Sequence, residues 1–558
     1  MIRRLWGSVA SLPRLELGPL LRHVDATTAT VWIQTDVACE VEILGARERT
    51  WCVDGLHFAL VVVEGLAPGA DHPYEVRLDG ERVWPEPDSP WPASTIRLVD
   101  PAAPERRIVF GSCRITRPHE PPYTLRAHEH PDGQGIDALR AYARRVAAEG
   151  GGAACPDLLL MLGDQIYADQ PSDELRAQIA RQPRPEGMPD DELGTFAAFA
   201  LAYREAWSDG DLRWLLSTVP VAMIFDDHEI HAEWRISQGW MDEMNAEPWF
   251  DDHIRAGLSA YWVFQHLGNL APAEREAGGL YDEVRASDDA GALLAARMDT
   301  EGRQTGHSRW SFTLALGDAQ LVVVDSRAGR DVTPGARELI SEQEWAWVAE
   351  QARRPIRHLL LASSVPFLLA PGLHHAEAFD EALADGVWGR FGAWAGEKLR
   401  RIAVMDHWAS FRRSHERFGE LVADLAHGDE PPESIVLLSG DVHHGYLAQV
   451  GFRPGRLSRT RVWQAVASGF RKELAPHERV VIRFGHSEVA GRLARRLARA
   501  AGVTPLPFGW RIVERPSYAN QVAVLTLAGD RVNVCVEAVQ DGRWEDPRLR
   551  REFSRDLT

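Results

Sequence analysis

The chain has almost no lysine. Lys398 and Lys472 are the only two among 62 cationic residues, so arginine carries the positive charge. That bias is of the kind GC-rich coding produces and is no sign in itself of phosphate recognition. Positive charge is also outnumbered: 62 Lys+Arg against 81 Asp+Glu leave a formal charge of -19, which disfavours nonspecific attraction to nucleic acid or to an anionic membrane. Cysteine is scarce. Cys39, Cys52, Cys113, Cys155 and Cys535 are odd in number and scattered, which argues against a disulfide framework and suits a reducing compartment. Long apolar runs are missing too, since nothing approaches the roughly 18–20 uninterrupted residues of a membrane span. Met1-Ile2-Arg3-Arg4 leads into WGSVASLPRLELG rather than the apolar core of an export signal. The expectation is a cytoplasmic protein with no transmembrane segment and no nucleic-acid surface.

What is present is the composition of a folded globular protein, 45% hydrophobic and 26% charged over 558 residues, enough for about three or four packed units. After a leader over residues 1–14, short β-type runs (TATVWIQT, CEVEIL, FALVVVEGL, HPYEVRLDG) separated by turns predict a small antiparallel β-sandwich over residues 15–103. The proline-rich WPEPDSPWPAS and DPAAPERR mark a boundary near Pro104. Beyond it, unalternated apolar runs recur in RIVFGSC, DLLLMLGD, VAMIFDDHE, AQLVVVDSR, HLLLASSV and SIVLLSGDVHHG. Such runs read as strands buried on both faces of an α/β core, over residues 104–545. Helical insertions are expected near 171–214, 240–302 and 471–510, and residues 546–558 read as a C-terminal tail. VAGRLARRLARAA, residues 489–501, is a basic amphipathic helix that fits either packing on the core with solvated arginines or contact with anionic lipid or a partner.

Several of these strands stop abruptly in small and acidic residues, and ligands of open α/β sheets bind at the carboxyl ends of strands. Asp164 leaves DLLLML with Tyr167 three positions on; a carboxylate there can bridge cations and a phenolate suits a hard trivalent ion, while a plain Gly-Asp turn is the competing reading. Asp226, Asp227, His228 and Glu229 crowd an imidazole among carboxylates after an apolar strand, which is costly unless cations or protons neutralise them; a solvated helix start is the alternative. In SGDVHHG, Asp441 and His443 alternate, so an extended chain presents both on one side as an oxygen and nitrogen ligand pair, with His444 on the other. Cys113 sits at a strand end beside Arg114, placed either as an inert small hydrophobe or as a thiolate held by that charge.

The ordered set GSCR, GDQIYAD, FDDHE, VVVDSR and SGDVHHG resembles the PhoD-like alkaline phosphatase D family, a branch of the calcineurin-like metallophosphoesterases, over roughly residues 15–545. The resemblance implies an α/β fold, a metallophosphoesterase-type two-sheet core flanked by helices and preceded by the β-sandwich. It further implies a metal-dependent phosphoesterase that cleaves phosphate mono- or diesters by attack of a metal-activated water or oxide. Carried over by position, Cys113, Asp164, Tyr167 and His443 would surround a ferric ion, and Asp164 would bridge to calcium held also by Asp227 and Asp441. His228 would act at the leaving group and Arg114 at phosphate charge. Asp226, Glu229 and His444 would stand behind the ligands, and Asp325 with Arg327 would form a supporting ion pair. Zinc, manganese and magnesium are the other candidate cations. The superfamily's usual first Asp-x-His is replaced by Ser112-Cys113, and Ser363-Ser364 stand where many relatives place a histidine; both speak against a di-zinc or di-manganese centre, and the first also favours an iron-dependent site, since cysteine and tyrosine together suit a ferric cation. Two other readings are a phospholipase-D-like phosphodiesterase on the same metals and a non-catalytic binding protein with a structural metal.

Overall fold

The computed structural model describes residues 12–303, 306–452 and 458–558; the leader expected at 1–14 lies outside it up to residue 11. Two sheets stack at the centre. The first, six-stranded, places strands Arg106–Gly111, Leu158–Leu162 and Val221–Ile224 side by side in parallel, and joins Arg106–Gly111 antiparallel to the hairpin Gln521–Ala528 and Arg531–Val539. The second, seven-stranded, has a parallel centre of Ala319–Val324, His358–Ser363, Ser434–Ser439 and Arg461–Val466, with antiparallel strands at both edges.

Alternation along the second sheet decides how the layers meet. Leu360, Ala362, Val436 and Leu438 share one buried cluster with Phe110, Leu160 and Ala523 of the first sheet, while Leu359, Leu361, Ile435 and Leu437 share another with Phe367, Trp408, Phe418 and Val422 on the helical side. Both faces are therefore buried, which is why these strands read as unbroken apolar runs. The parallel strands all end on one side of the molecule, at Gly111, Leu162, Ile224, Val324, Ser363, Ser439 and Val466.

The N-terminal region forms two four-stranded antiparallel sheets closed around Val31, Ile33, Val41, Ile43, Val61 and Leu78. It is docked firmly. Buried Arg22 donates to the carbonyls of Val221, Phe264 and Gln265 and to Asn269 Oδ1, and Trp32 Nε1 donates to Val263 O at 2.9 Å. Residues 171–214, 240–302 and 471–510 contain helices, among them Phe196–Trp207, Phe250–Tyr261 and Glu488–Ala500. One expectation is corrected at the C-terminus. Residues read as a tail carry the strand Leu549–Asp556, which pairs with Arg531–Val539. It lies at the sheet edge, and most of its side chains face solvent, so LRREFSRD lacks the apolar signature of a strand. Among the described residues no helix is long and apolar enough to cross a membrane.

Candidate metal centre

The strand ends of both sheets converge on one cluster. Three groups of side chains bring potential ligand atoms within 4.8 Å of one another: Cys113 with Asp164 and His443, Asp164 with Asp227 and His228, and Asp226 with Asp227 and Asp441. They share Asp164 and Asp227, so the donors form one continuous site. Backbone geometry sets it apart as well. Cys113, Asp164, Asp441 and His443 all hold positive φ, at 57°, 52°, 65° and 51°, a conformation that non-glycine residues adopt at a cost and that concentrates at functional sites.

Close approach of the two sheets builds the floor. The Asp441 amide donates to Ser112 Oγ at 2.9 Å, and the His443 amide donates to Ser468 Oγ at 3.1 Å. A Cβ on Gly440 would lie 2.3 Å from Ser112 Oγ, so only glycine admits this contact. Gly163, at φ +106°, leaves room in the same way for Asp226, whose Cβ would be 2.5 Å from an added methyl.

Charge is heavily unbalanced at the ligands themselves. Asp164 Oδ2 accepts from Tyr167 Oη at 3.2 Å, while its Oδ1, like Asp226 Oδ2, is buried with no hydrogen-bond partner. Burial, opposed by His228 but reinforced by Asp227 and Asp441, lifts the Asp164 carboxyl to about 7. Burial and then the Asp164 and Asp441 carboxylates push the Cys113 thiol far up, and burial likewise raises the Tyr167 phenol. His443 is held neutral, lowered to about 3 chiefly by burial. Without cations burial favours the protonated forms of Asp164, Cys113 and Tyr167; with cations these three become carboxylate, thiolate and phenolate donors beside the already neutral His443 imidazole. Cysteine, tyrosine, histidine and carboxylate suit a transition-metal ion, and the carboxylate-rich side suits a harder one, so the residues fit the implied metals.

The remaining expected residues take distinct places. Glu229 accepts the amides of Asp164, Gln165 and Asp226, pinning two strand ends with one carboxylate. Arg327 is fully buried and ion-paired with Asp226 and Asp406, with Asp441 Oδ1 at 3.3 Å and Asp227 Oδ1 at 3.5 Å. It does not pair with Asp325 as expected: Asp325 instead accepts the amides of Arg327, Ala328 and Gly329 in its own turn, nearer partners than a guanidinium that reaches inward. Arg114 is also corrected. Its guanidinium donates to Asp137 at 2.8 Å and to Ala206 O at 2.8 Å, which fixes the N-cap of helix Ala138–Ala148 and leaves it uncommitted to phosphate. His444 turns its Nδ1 to Val442 O and packs on Tyr446, away from the ligands. Ser364 Oγ donates to Asp226 Oδ1 at 3.0 Å.

At the rim, His228 Nδ1 meets Asp169 Oδ1 at 2.7 Å and its ring lies 4.4 Å from that of Tyr167. Burial opposes its charge, yet Asp169, Asp227 and Asp164 outweigh burial and raise the imidazole to about 10. Four groups enter that sequence reasoning did not assign. Asp169 belongs to the GDQIYAD run and its spacing was visible. His407 spans Glu377 Oε1 at 2.7 Å and Asp441 Oδ2 at 3.0 Å, and Asp406 joins Arg327 to Arg330. Lys472 Nζ sits 4.7 Å over the Tyr167 ring and 3.0 Å from Gln170 Oε1; as one of only two lysines it carried a signal of rarity.

Residues 12–96 match a domain of unknown function, DUF7800. A comparison with curated protein sequences finds no match. Among solved structures, one titled "Structure of PhoD" superposes with a TM-score of 0.59 at 13% identity, covering 99% of this chain and 94% of the other. A purple acid phosphatase, PPD1, from yellow lupin (Lupinus luteus) seeds superposes with a TM-score of 0.50 at 11% identity, covering 98% of this chain and 74% of the other. These two show a shared fold. The family model for PhoD-like phosphatases matches residues 133–471, more than half of the sequence and all the strand ends from Asp164 to His443, and the chain belongs to that family.

Proposed function

We propose that the chain is a metal-dependent phosphoric ester hydrolase acting on mono- or diesters. The observation that carries this reading is the continuous set of donors from Cys113 to Asp441, whose buried carboxylates call for cations and whose sheet is that of a PhoD-like phosphatase. Cys113, Asp164, Tyr167 and His443 would hold one cation, ferric in character; Asp164, Asp227 and Asp441 would hold a second, calcium being the first candidate and zinc, manganese or magnesium the others. Such cations, when bound, neutralise phosphoryl oxygens and lower the pKa of water.

The chain's own residues then divide the work. Asp169 fixes the His228 ring through Nδ1, which leaves Nε2 to hold the proton that a departing alkoxide needs. Lys472 adds positive charge on the Tyr167 side, where burial and, less strongly, Arg117 work against its protonation while Asp169 and Asp164 support it. Arg327 keeps the carboxylates at fixed spacing from below. The membership of His228 in a triad with Asp164 and Asp227 supports a second role for it, as a ligand.

The experiment compares p-nitrophenyl phosphate, bis-p-nitrophenyl phosphate and phenyl phosphate on one preparation. Asp164→Asn and His443→Ala are expected to abolish turnover of all three while the circular dichroism spectrum is kept; full activity in both refutes the assignment. His228→Ala separates its two roles. As a proton donor it should lose far more on phenyl phosphate, whose leaving group is poor, than on the p-nitrophenyl esters; as a ligand it should lose equally on all and bind less metal.

A further inference from the structure

A second cavity lies apart from the metal centre, with no residue in common with the ligand set. It has a volume of about 700 Å³ and is bounded by helices Pro371–Ala384, Arg412–His427 and Glu488–Ala500 and strand Phe508–Ile512, a size that suits an organic molecule. Its walls are cationic. Arg412, Arg495, Arg499 and Arg511 line it against a single carboxylate, Glu416, on a chain whose net charge is -19. Among the described residues no carboxylate lies within ion-pair distance of Arg495, Arg499 or Arg511, and Arg412 meets Glu416 only at 3.9 Å.

The floor carries polar groups with nothing to bond. His374 and His415, 4% and 5% exposed, line the cavity and stand 4.8 Å apart ring to ring. His374 Nδ1 and His415 Nε2 are buried without a hydrogen-bond partner, and a buried polar atom left so is costly unless something supplies the bond. Trp510 stands edge-on to His374 at 4.5 Å, its own Nε1 tied to Leu369 O, which offers a flat apolar wall beside the imidazoles. Arg511 is held by Gln449, and Arg495 by His375, so two of the guanidinium groups are already oriented. Oriented guanidinium groups recognise phosphoryl oxygens, and the unpartnered imidazole nitrogens of His374 and His415 offer further hydrogen bonds to a bound molecule.

We propose that this cavity is a separate, non-catalytic binding site for a phosphate-bearing organic anion, taken either free from solution or as the headgroup of a lipid. The lipid source is physically open because helix Glu488–Ala500 also exposes Val489, Leu493 and Leu497, beside exposed Val480, Val481 and Phe484 of Pro476–Gly485. The site stands whether or not the metal centre hydrolyses esters.

The test uses the full chain and two probes: phenylphosphonate, which resists hydrolysis, by calorimetric titration, and phosphatidylcholine vesicles with and without phosphatidylglycerol, by flotation. Arg495→Ala with Arg499→Ala alters two exposed helix positions and should weaken binding by roughly tenfold or more, with partial rescue by lysine at both. Asp164→Asn should leave that binding intact. Phenylphosphonate binding that obeys this pattern identifies a soluble ligand; flotation with phosphatidylglycerol that obeys it, without phosphonate binding, identifies the lipid. Binding unchanged in the arginine variant, binding lost in Asp164→Asn, or no binding of either probe overturns the proposal.

Discussion

At the scale of single residues, the centre is defined by side chains that are wrong for their surroundings unless something else is bound. Arg327 is the counterweight. It faces Asp226, Asp227, Asp406 and Asp441 in a fully buried position, and removing one partner of such a group leaves the other charges unsatisfied. Arg327→Leu is therefore expected to cost roughly 3–5 kcal/mol of stability, read as a fall in the urea midpoint; a variant as stable as the parent contradicts the assignment. Gly163 makes the finer point. Gly163→Ala should displace Asp226 by van der Waals contact and lower kcat on the order of 100-fold with a near-native spectrum; unchanged kcat would show that Asp226 need not keep its place. Cys113, Asp164, Asp227, Asp441 and His443, which the fold brings together, were legible as candidates because they follow apolar runs broken by small or acidic residues. His407, Asp406 and Glu377 were not: they lie on a helix and a loop outside the strand-end pattern, and meet Asp441 and Arg327 only through the fold.

At the scale of elements, register does the positioning. Parallel pairing aligns Gly111 with Met161 and Ser363 with Ser439, so the residues that follow these strands emerge side by side. This much was readable, since buried parallel strands announce themselves as apolar runs. The edge strand Leu549–Asp556 was not, because one face and one edge meet water and its sequence is mostly charged. Arg114 misled for a related reason: its neighbours in sequence are at the site, but its side chain crosses to Asp137 and Ala206. Arg114→Ala is accordingly expected to lower stability by about 3 kcal/mol or more, as for a broken buried pair, more than it lowers kcat/KM per folded molecule. A loss confined to catalysis, at unchanged stability, would return Arg114 to the phosphate.

At the scale of the whole molecule, the N-terminal sandwich and the catalytic layers share a buried seam through Arg22 and Trp32, so they should unfold together. Arg22→Leu leaves several carbonyls without a donor, about 1–3 kcal/mol for each unsatisfied group, and is expected to split one thermal transition into two; a single unshifted transition would show the seam to be incidental. Cations act at the same scale. A ligand bound only by the folded chain adds about 4 kcal/mol when its free concentration is about 1,000 times Kd, so chelation should lower Tm and readdition restore it.

The most direct test of the centre is elemental analysis of the full chain purified without added metal or chelator, beside Asp164→Asn and His443→Ala. The account predicts near-stoichiometric bound metal in the parent, with iron and calcium as the expected pair, and a clear loss in both variants. No bound metal in the parent even after reconstitution, or the same metal content in all three, would contradict it.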